Sequence, residues 1–145
     1  MHSREVHLTL LLGRASRAMN EQLSQSIRPD GVTPEHWRVL RLLSDEKGRA
    51  MGWMAEQLGT NPPTLTKLID RMVGQSFVLR GADPEDSRRV LVYVTDTGLA
   101  ILDGLQDSMD RHESSVTGLL GERNARVLER LLVQLIEGRA AAHVR

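Results

Sequence analysis

Three residues near the middle of the chain are spaced as a helix-turn-helix requires. Ala55, Gly59 and Leu65 give the pattern A-x3-G-x5-L. Helices that cross closely need a small side chain at the crossing, and the turn between them needs a residue that tolerates positive φ. Ala55 and Gly59 meet these needs, and Leu65 faces back onto the first helix. Such a triplet also arises by chance, so the flanking residues carry the interpretation further.

The second helix of this motif has its own start signal and an amphipathic pattern. Asn61 is a good N-cap, and Pro62 follows at the first helical position, where a missing N–H costs nothing. The predicted buried face consists of Leu65, Leu68, Ile69 and Met72. The predicted outer face consists of Pro63, Thr64, Thr66, Lys67, Asp70 and Arg71. Short polar groups with two cations suit base edges and phosphates in a major groove, but an ordinary solvated face would have the same composition.

A charged hairpin follows this helix. Residues 77–80 and 89–94 are β-rich runs, and residues 81–88 between them are charged and turn-forming. A β-hairpin directly after a recognition helix is a wing, so the spacing predicts a winged helix-turn-helix.

The wing sequence resembles that of MarR-family transcriptional regulators. The similar stretches are DPEDSRR at residues 83–89 and VTDTG at residues 94–98. In that family the wing carries D-x-R, and its arginine enters the minor groove. By this resemblance Arg88 is the groove arginine, Asp86 is the carboxylate that orients it, and Arg89 is a further DNA-binding residue beside them. One departure is Ala50, where the family often has Ser or Thr, so the first helix of the motif is expected to begin frayed.

The resemblance implies a mainly α fold with a small β-hairpin wing and with N- and C-terminal dimerisation helices. It also implies a homodimer that binds a pseudo-palindromic operator in double-stranded DNA. Within the family such proteins are commonly repressors released by a ligand, so a small-molecule effector is an expected partner.

The two ends of the chain are predicted to be helical. In the N-terminal helix, residues 4–27, an apolar stripe comprises Leu8, Leu12, Ala15, Met19, Leu23 and Ile27. Leu10 and Leu11 widen it, which favours burial against a second chain, although burial within one chain remains an alternative. Near the other end we expect helices at about 98–119 and 122–142, broken at Gly121. The domains expected are a dimerisation region at 1–31 and 97–145 and a DNA-binding module at 32–96.

A further helix is expected to begin after Thr33. A Thr followed by Pro34 at the first position and by Glu35 in the first turn is a helix start signal. Trp37 in this helix could line a ligand pocket, but packing is the more common role of a large aromatic at such a position.

Composition limits the function classes. The chain has 19 basic and 19 acidic residues, so any basic patch that attracts DNA must be local. It has no Cys, which excludes disulfides, a thiolate nucleophile and a cysteine redox sensor. No segment approaches the length of a membrane span, and the run from Leu8 to Leu12 is too short for a convincing signal peptide, so we expect a cytoplasmic protein without membrane contact.

Catalysis, cofactor binding and metal binding find no support in the motifs. The chain has no G-x-S-x-G elbow, phosphate loop or H-E-x-x-H sequence. The acidic residues Asp83, Glu85 and Asp86 are flanked by arginines that offset their charge. His36 and His112 fall on helices comparable to those that supply zinc ligands in some members of the family, but they are expected to be solvent-exposed or hydrogen-bonded. The rival to a DNA-binding regulator is a winged-helix protein-interaction module that binds no DNA.

Overall fold

The computed structural model describes residues 2–143 of the chain. The helices and strands follow in the order α1 (His2–Ile27), α2 (Pro34–Leu42), β1 (Arg49–Ala50), α3 (Met51–Leu58), α4 (Pro62–Gly74), β2 (Val78–Ala82), β3 (Val90–Val94), α5 (Asp96–Gly104), α6 (Gln106–Leu120) and α7 (Glu122–His143). The predicted mainly α fold with a small β wing is therefore confirmed. Within residues 2–143, no helix is both long enough and apolar enough to cross a membrane.

The chain divides into two compact units. The first unit runs up to Asp107 and includes the sheet, and the second begins at Ser108. The predicted assignment of residues 32–96 to DNA binding, and of 1–31 and 97–145 to dimerisation, concerns function and stays a prediction.

The core of the first unit lies between α2, α3, α4 and the sheet. Its buried residues are Val39, Leu40, Leu43, Met54, Ala55, Leu65, Leu68, Ile69, Met72, Val78 and Val92. All four predicted inward residues of the recognition helix, α4, belong to this list. Burying such side chains stabilises a fold by about 1.5–3 kcal/mol each, so this core fixes how α4 is presented.

The turn between α3 and α4 has the geometry that the spacing predicted. Gly59 has φ 62° and ψ 34°, a left-handed conformation that a side chain would strain. Its N–H donates to the carbonyl of Glu56 at 3.2 Å, and the N–H of Thr60 donates to that of Ala55 at 3.0 Å. These bonds satisfy the free carbonyls at the end of α3 and let the chain reverse at once into α4.

The sheet has a third strand that the sequence did not predict. β1 pairs antiparallel with β3, with Ala50 opposite Leu91, so the strand order is β1-β3-β2. Ala50 gives α3 no side-chain cap, as expected, and α3 begins directly after it at Met51, with Ala50 itself paired to β3. The guanidinium of Arg49 also lies 4.6 Å from the ring centre of Trp53 and 2.5 Å from Asp45.

The hairpin strands differ slightly from the predicted runs. β2 begins at Val78 and continues through Ala82, so Gly81 belongs to the strand and not to the turn. β2 and β3 pair antiparallel from Val78 opposite Val94 to Ala82 opposite Val90. The sequence underestimated β2 because Gly81 resembles a turn residue, whereas its missing side chain instead leaves room for the ring of Tyr93.

The exit from the wing is held by one residue, Thr95. Its hydroxyl accepts the N–H of Gly98 at 3.0 Å and thereby caps α5. It also lies 2.6 Å from the carbonyl of Ser76, to which it can donate. Gly98 lies against the backbone just before β2, and a Cβ there would be 2.2 Å from the carbonyl oxygen of Phe77. A glycine is required at this contact.

The prediction of one helix over residues 98–119 was wrong. The structure has α5 ending at Gly104 and α6 beginning at Gln106, with Leu105 between them at φ −87° and ψ −10°. Leu105 is 1% exposed, so it lies on the buried face just as it would in one continuous helix. The period of the apolar residues therefore gave no signal of this break. The predicted break at Gly121 is confirmed, with φ at 82°.

Apolar side chains remain exposed on the terminal helices. In α1, Leu23 and Ile27 are buried, whereas Leu8 is 55% and Leu10 is 56% exposed. In α6 and α7 the exposed large apolar residues are Leu119, Leu120, Leu128, Leu131, Leu132, Val133, Leu135 and Ile136. Exposed large apolar side chains in this number on α7 are typical of an interaction surface.

Candidate nucleic-acid interface

The recognition helix α4 presents a polar outer face. Its N-cap is Asn61, whose side-chain oxygen accepts the N–H of Thr64 at 2.9 Å, and Pro62 occupies the first position. The predicted outer residues Pro63, Thr64, Thr66, Lys67, Asp70 and Arg71 are all exposed. The cap and the buried inner face together fix both the start of the helix and its rotation. The structure thus brings five of the predicted DNA-binding residues together on one surface.

The hydroxyl of Thr66 is already engaged within the helix. It donates to the carbonyl oxygen of Pro62 at 2.9 Å. Its proton is therefore used, and what it presents outward is a methyl group and a hydrogen-bond acceptor. A methyl group in a major groove fits against the methyl of thymine. Lys67 and Arg71 lie one turn apart on the same helix and supply positive charge without ion-pair partners among the described contacts.

The wing loop is ordered by two aspartates that begin successive turns. The N–H of Asp86 donates to the carbonyl of Asp83 at 3.2 Å, and the N–H of Arg89 donates to that of Asp86 at 2.9 Å. The side chain of Asp83 also accepts the N–H of Glu85 at 2.9 Å. Short acidic side chains favour such turns because they bond to the backbone two residues on. Asp83 and Asp86 therefore hold the conformation of this loop.

Asp86 holds Arg88 in two ways at the end of the wing. One carboxylate oxygen accepts the backbone N–H of Arg88 at 3.1 Å and its Nε–H at 3.2 Å. These hydrogen bonds, the backbone one first, hold the pKa of Asp86 below its usual range, so the carboxylate stays ionised. The Arg88 side chain is nonetheless 89% exposed. Its guanidinium therefore projects into solvent from a fixed base, and the other predicted wing residue, Arg89, is exposed beside it.

An ion pair between α4 and β2 was missed by the sequence reasoning. Nη2 of Arg80 lies 2.6 Å from Oδ1 of Asp70. The sequence predicts Asp70 on the outer face of α4 and Arg80 in a strand, but it predicts no contact between them. The one available signal was an acidic residue among the cations of a face expected to meet phosphates. Helical and strand periodicities give no information about contact between the two elements.

His36 lies at the start of α2 and is 8% exposed. The backbone N–H of His36 donates to the Thr33 hydroxyl at 3.3 Å, and the ring Nδ1 of His36 accepts the backbone N–H of Thr33 at 3.2 Å. This reciprocal arrangement is a capping box with His in the position usually held by Glu or Gln. Burial, and secondarily the positive charge of Arg71, lowers the pKa of His36, so the ring is neutral at pH 7. Its ring also meets that of Phe77 edge-on at 6.0 Å.

The expectation that the two histidines are solvent-exposed or hydrogen-bonded is confirmed for His36, which is buried and hydrogen-bonded. His112 in α6 is 6% exposed, and its Nδ1 is buried without a hydrogen-bond partner. Across residues 2–143, no group of three or more acidic or histidine side chains could hold a metal ion. The acidic loop residues Asp83 and Asp86 already accept backbone N–H groups.

A cavity of about 470 Å³ lies beside the α3–α4 turn. Its lining includes Asn20 of α1, Glu35 and Arg38 of α2, and Thr64 and Leu68 of α4. Arg38 donates to the side chain of Asn20, and its guanidinium lies 3.9 Å from the carboxylate of Glu35. The cavity thus combines apolar and charged groups and includes part of the recognition helix in its wall.

Comparison with known proteins agrees with this geometry. The MarR family model matches residues 32–90, from just before α2 to the first residue of β3. The chain is 24% identical over 137 residues to the HTH-type transcriptional regulator FarR of Neisseria gonorrhoeae, covering 93% of this chain and 94% of that protein. It is 32% identical over 94 residues to the organic hydroperoxide resistance transcriptional regulator of Bacillus subtilis, covering 65% and 64%.

A solved structure gives the same result over most of the chain. The structure is similar to that of the transcriptional repressor CouR bound to a 23-mer DNA duplex, with a TM-score of 0.80 and 30% identity, over 88% of this chain and 91% of CouR. The chain belongs to the MarR family of DNA-binding transcriptional regulators. The resemblance drawn from the wing residues is confirmed.

Proposed function

We propose that the chain acts in the cytoplasm as a homodimeric repressor that binds a pseudo-palindromic operator and is released by a small-molecule effector. The observation that carries this proposal is the position of Arg88. Its side chain projects from the wing, and Asp86 binds its backbone N–H and its Nε–H. A long cation is costly to immobilise on binding, and a partner that orients it beforehand lowers that cost. The repressor sign comes from CouR, whose structure was solved on a DNA duplex.

The proposed DNA-binding residues form two groups with distinct roles. Pro63, Thr64, Thr66, Lys67 and Arg71 on α4 would enter the major groove, while Asp86, Arg88 and Arg89 would place the wing in the minor groove. The four cations of these groups are local, whereas the formal charge of the whole chain is zero. Attraction to phosphates would therefore act through this surface and not through a global field.

The rival function is a protein-interaction module that binds no DNA. Neutralised phosphates release counterions, so DNA binding should weaken with a log–log slope in salt of about −0.9 per phosphate contact. Duplex binding measured over a series of salt concentrations separates the two functions. Selection of bound fragments from the source genome would supply the operator, with half-sites about 10 base pairs apart or a multiple of that spacing. No duplex binding at low salt would exclude the proposed function.

The recognition helix has its own test. Lys67→Ala and Arg71→Ala should each weaken operator binding while leaving the fold intact, since both side chains are exposed. Loss of one phosphate contact should also reduce the salt slope by about 1. Unchanged binding in both variants would mean that another element enters the groove.

The cavity beside the α3–α4 turn supports a place for the effector. An occupant would contact Thr64 and Leu68, and so could shift α4 directly. An acidic group on the ligand could replace the carboxylate of Glu35 as the partner of Arg38 in this wall. Binding of acidic aromatic and aliphatic compounds, measured by release of the operator, tests this, with Arg38→Gln expected to reduce the response. Release that is equally sensitive in Arg38→Gln would place the effector elsewhere.

A further inference from the structure

The ion pair of Asp70 and Arg80 joins the two elements of the proposed DNA-binding surface. Asp70 lies on the outer face of α4 beside Arg71, and Arg80 lies in the middle of β2, the first strand of the wing. The distance between Nη2 and Oδ1 is 2.6 Å, which is a short charge-assisted hydrogen bond. It links the exposed sides of α4 and β2, in addition to the core contacts that these elements share.

The strand register explains why Arg80 points towards the helix. Side chains two residues apart lie on the same face of a strand, so Arg80 shares a face with Val78, which is buried in the core with α4. The opposite face is covered by Tyr93, whose ring would lie 3.2 Å from a Cβ at Gly81. The Tyr93 hydroxyl also donates to the carbonyl of Ala82 at 3.3 Å. Arg80 is thus directed towards α4.

An acidic residue at this position is unfavourable for DNA binding unless it has another role. The Asp70 side chain is 60% exposed on the face that carries Lys67 and Arg71. Its charge would repel phosphates, and its bond to Arg80 draws a cation away from them. Both effects weaken simple electrostatic attraction to DNA. The pair is therefore not explained by electrostatic attraction to DNA. It is explained if it fixes the position of the wing relative to α4.

We propose that Asp70 and Arg80 are positioning residues that hold the wing at a fixed angle to the recognition helix. This inference rests on the proposed DNA binding. With the angle fixed, binding of α4 in one groove leaves Arg88 already placed at the neighbouring groove. Two contacts on a rigid link have a higher effective concentration for each other than two contacts on a loose one.

The first test compares single variants on the selected operator. Asp70→Asn keeps the shape of the side chain and removes its charge, and we expect it to weaken binding about fivefold, a typical coupling for residues in contact. Arg80→Gln should weaken binding by a similar factor, and the double variant should bind no more weakly than either single variant. Glu85→Gln is the matched control, since it removes one exposed negative charge from the wing without breaking an ion pair. It should bind at least as tightly as the original chain.

The second test measures whether the wing depends on the pair. Arg88→Ala should weaken binding strongly in the original chain and much less in the Asp70→Asn background. Cleavage protection should show the same dependence: Asp70→Asn should lose protection in the minor groove while keeping it in the major groove. If the pair were purely structural, its loss would lower thermal stability and would reduce protection in both grooves alike. Melting temperatures of the variants therefore accompany the binding data.

Three outcomes would overturn the proposal. Tighter binding by Asp70→Asn would mean that the carboxylate only repels DNA, and unchanged binding would mean that the pair has no role in it. A loss with Arg80→Gln that is absent with Asp70→Asn would make Arg80 a direct phosphate contact. Failure of the unaltered chain to bind any duplex would instead reject the proposed function itself, so the two failures are distinguishable.

Discussion

Arg88 is held at its base and free at its end, and this determines what its neighbour Asp86 can do. The carboxylate of Asp86 accepts both the backbone N–H and the Nε–H of Arg88, which leaves the terminal nitrogens of the guanidinium exposed. An anion at this position repels phosphates, yet it also aims the cation. The two effects have opposite signs in a binding measurement.

We expect the aiming effect to exceed the repulsion. Asp86→Ala should weaken operator binding, and it should do so far less in an Arg88→Ala background, because there is then no guanidinium to orient. Arg88→Ala itself should weaken binding without changing dimer stability, since its side chain is 89% exposed. A double-mutant cycle at fixed salt measures the coupling. Additive effects, or tighter binding by Asp86→Ala, would contradict the orienting role.

His36 makes the stability of the first unit sensitive to pH. Its pKa is lowered from 6.5 by burial and then by Arg71, so the unfolded chain binds a proton at a pH where the folded chain does not. The stabilising contribution is complete above pH 6.5 and is lost as the pH falls below that value towards the lowered pKa. Protonation at Nδ1 would also remove the acceptor for the N–H of Thr33.

A substitution separates this titration from the rest of the molecule. His36→Gln keeps an acceptor at the same helical position, as in the usual capping box, but cannot titrate. The fall in melting temperature between pH 7 and pH 5 should therefore be smaller in His36→Gln than in the original chain. His7→Gln, at an exposed position, is the control and should retain the full fall. An equal fall in both variants would show that His36 does not contribute.

For the helices and strands, the sequence predicts features that depend on one turn of chain but not contacts between elements. Asn61 and Pro62 mark the start of α4 because capping depends only on the adjacent turn. Strand β1 has only two residues, Arg49 and Ala50, and exists because β3 pairs with them. The bond between Asp70 and Arg80 likewise depends on how the hairpin lies on the helix. Short elements and ion pairs between elements leave no periodic pattern in a sequence.

The start of α3 offers a stability prediction. Ala50 already has the extended conformation of an N-cap, with φ −72° and ψ 146°, but it has no side chain that can accept a hydrogen bond. Ala50→Ser should raise the free energy of unfolding by about 1 kcal/mol, because its hydroxyl can accept a free N–H of the first turn. Ala50→Val, which adds bulk without an acceptor, is the control and should give no such gain. Chemical denaturation measures both, and equal effects would exclude capping as the cause.

The terminal helices expose large apolar side chains that a second chain would cover in a dimer. Leu8 and Leu10 on α1, and Leu131 and Ile136 on α7, are each at least half exposed. Exposed apolar surface in water costs about 25 cal/mol per Å², so helices with these faces gain by association. A repressor on a two-fold operator requires the same association, because the symmetry of the protein matches that of the site.

The last prediction concerns this association. Sedimentation at micromolar concentration should give a dimer for the original chain. Ile136→Glu places a charge at a position that is 67% exposed in one chain, so the fold of that chain should tolerate it, whereas a second chain packed against it should not. Gln134→Glu adds the same charge at an exposed polar position of the same helix and should leave the dimer intact. With Ile136→Glu, operator binding should weaken and its salt slope should fall by about half. The reason is that a monomer contacts about half as many phosphates as a dimer does. A well-folded monomer in the original chain, a dimer unaffected by Ile136→Glu, or equal disruption by both substitutions would contradict the assignment of α7 to the dimer interface.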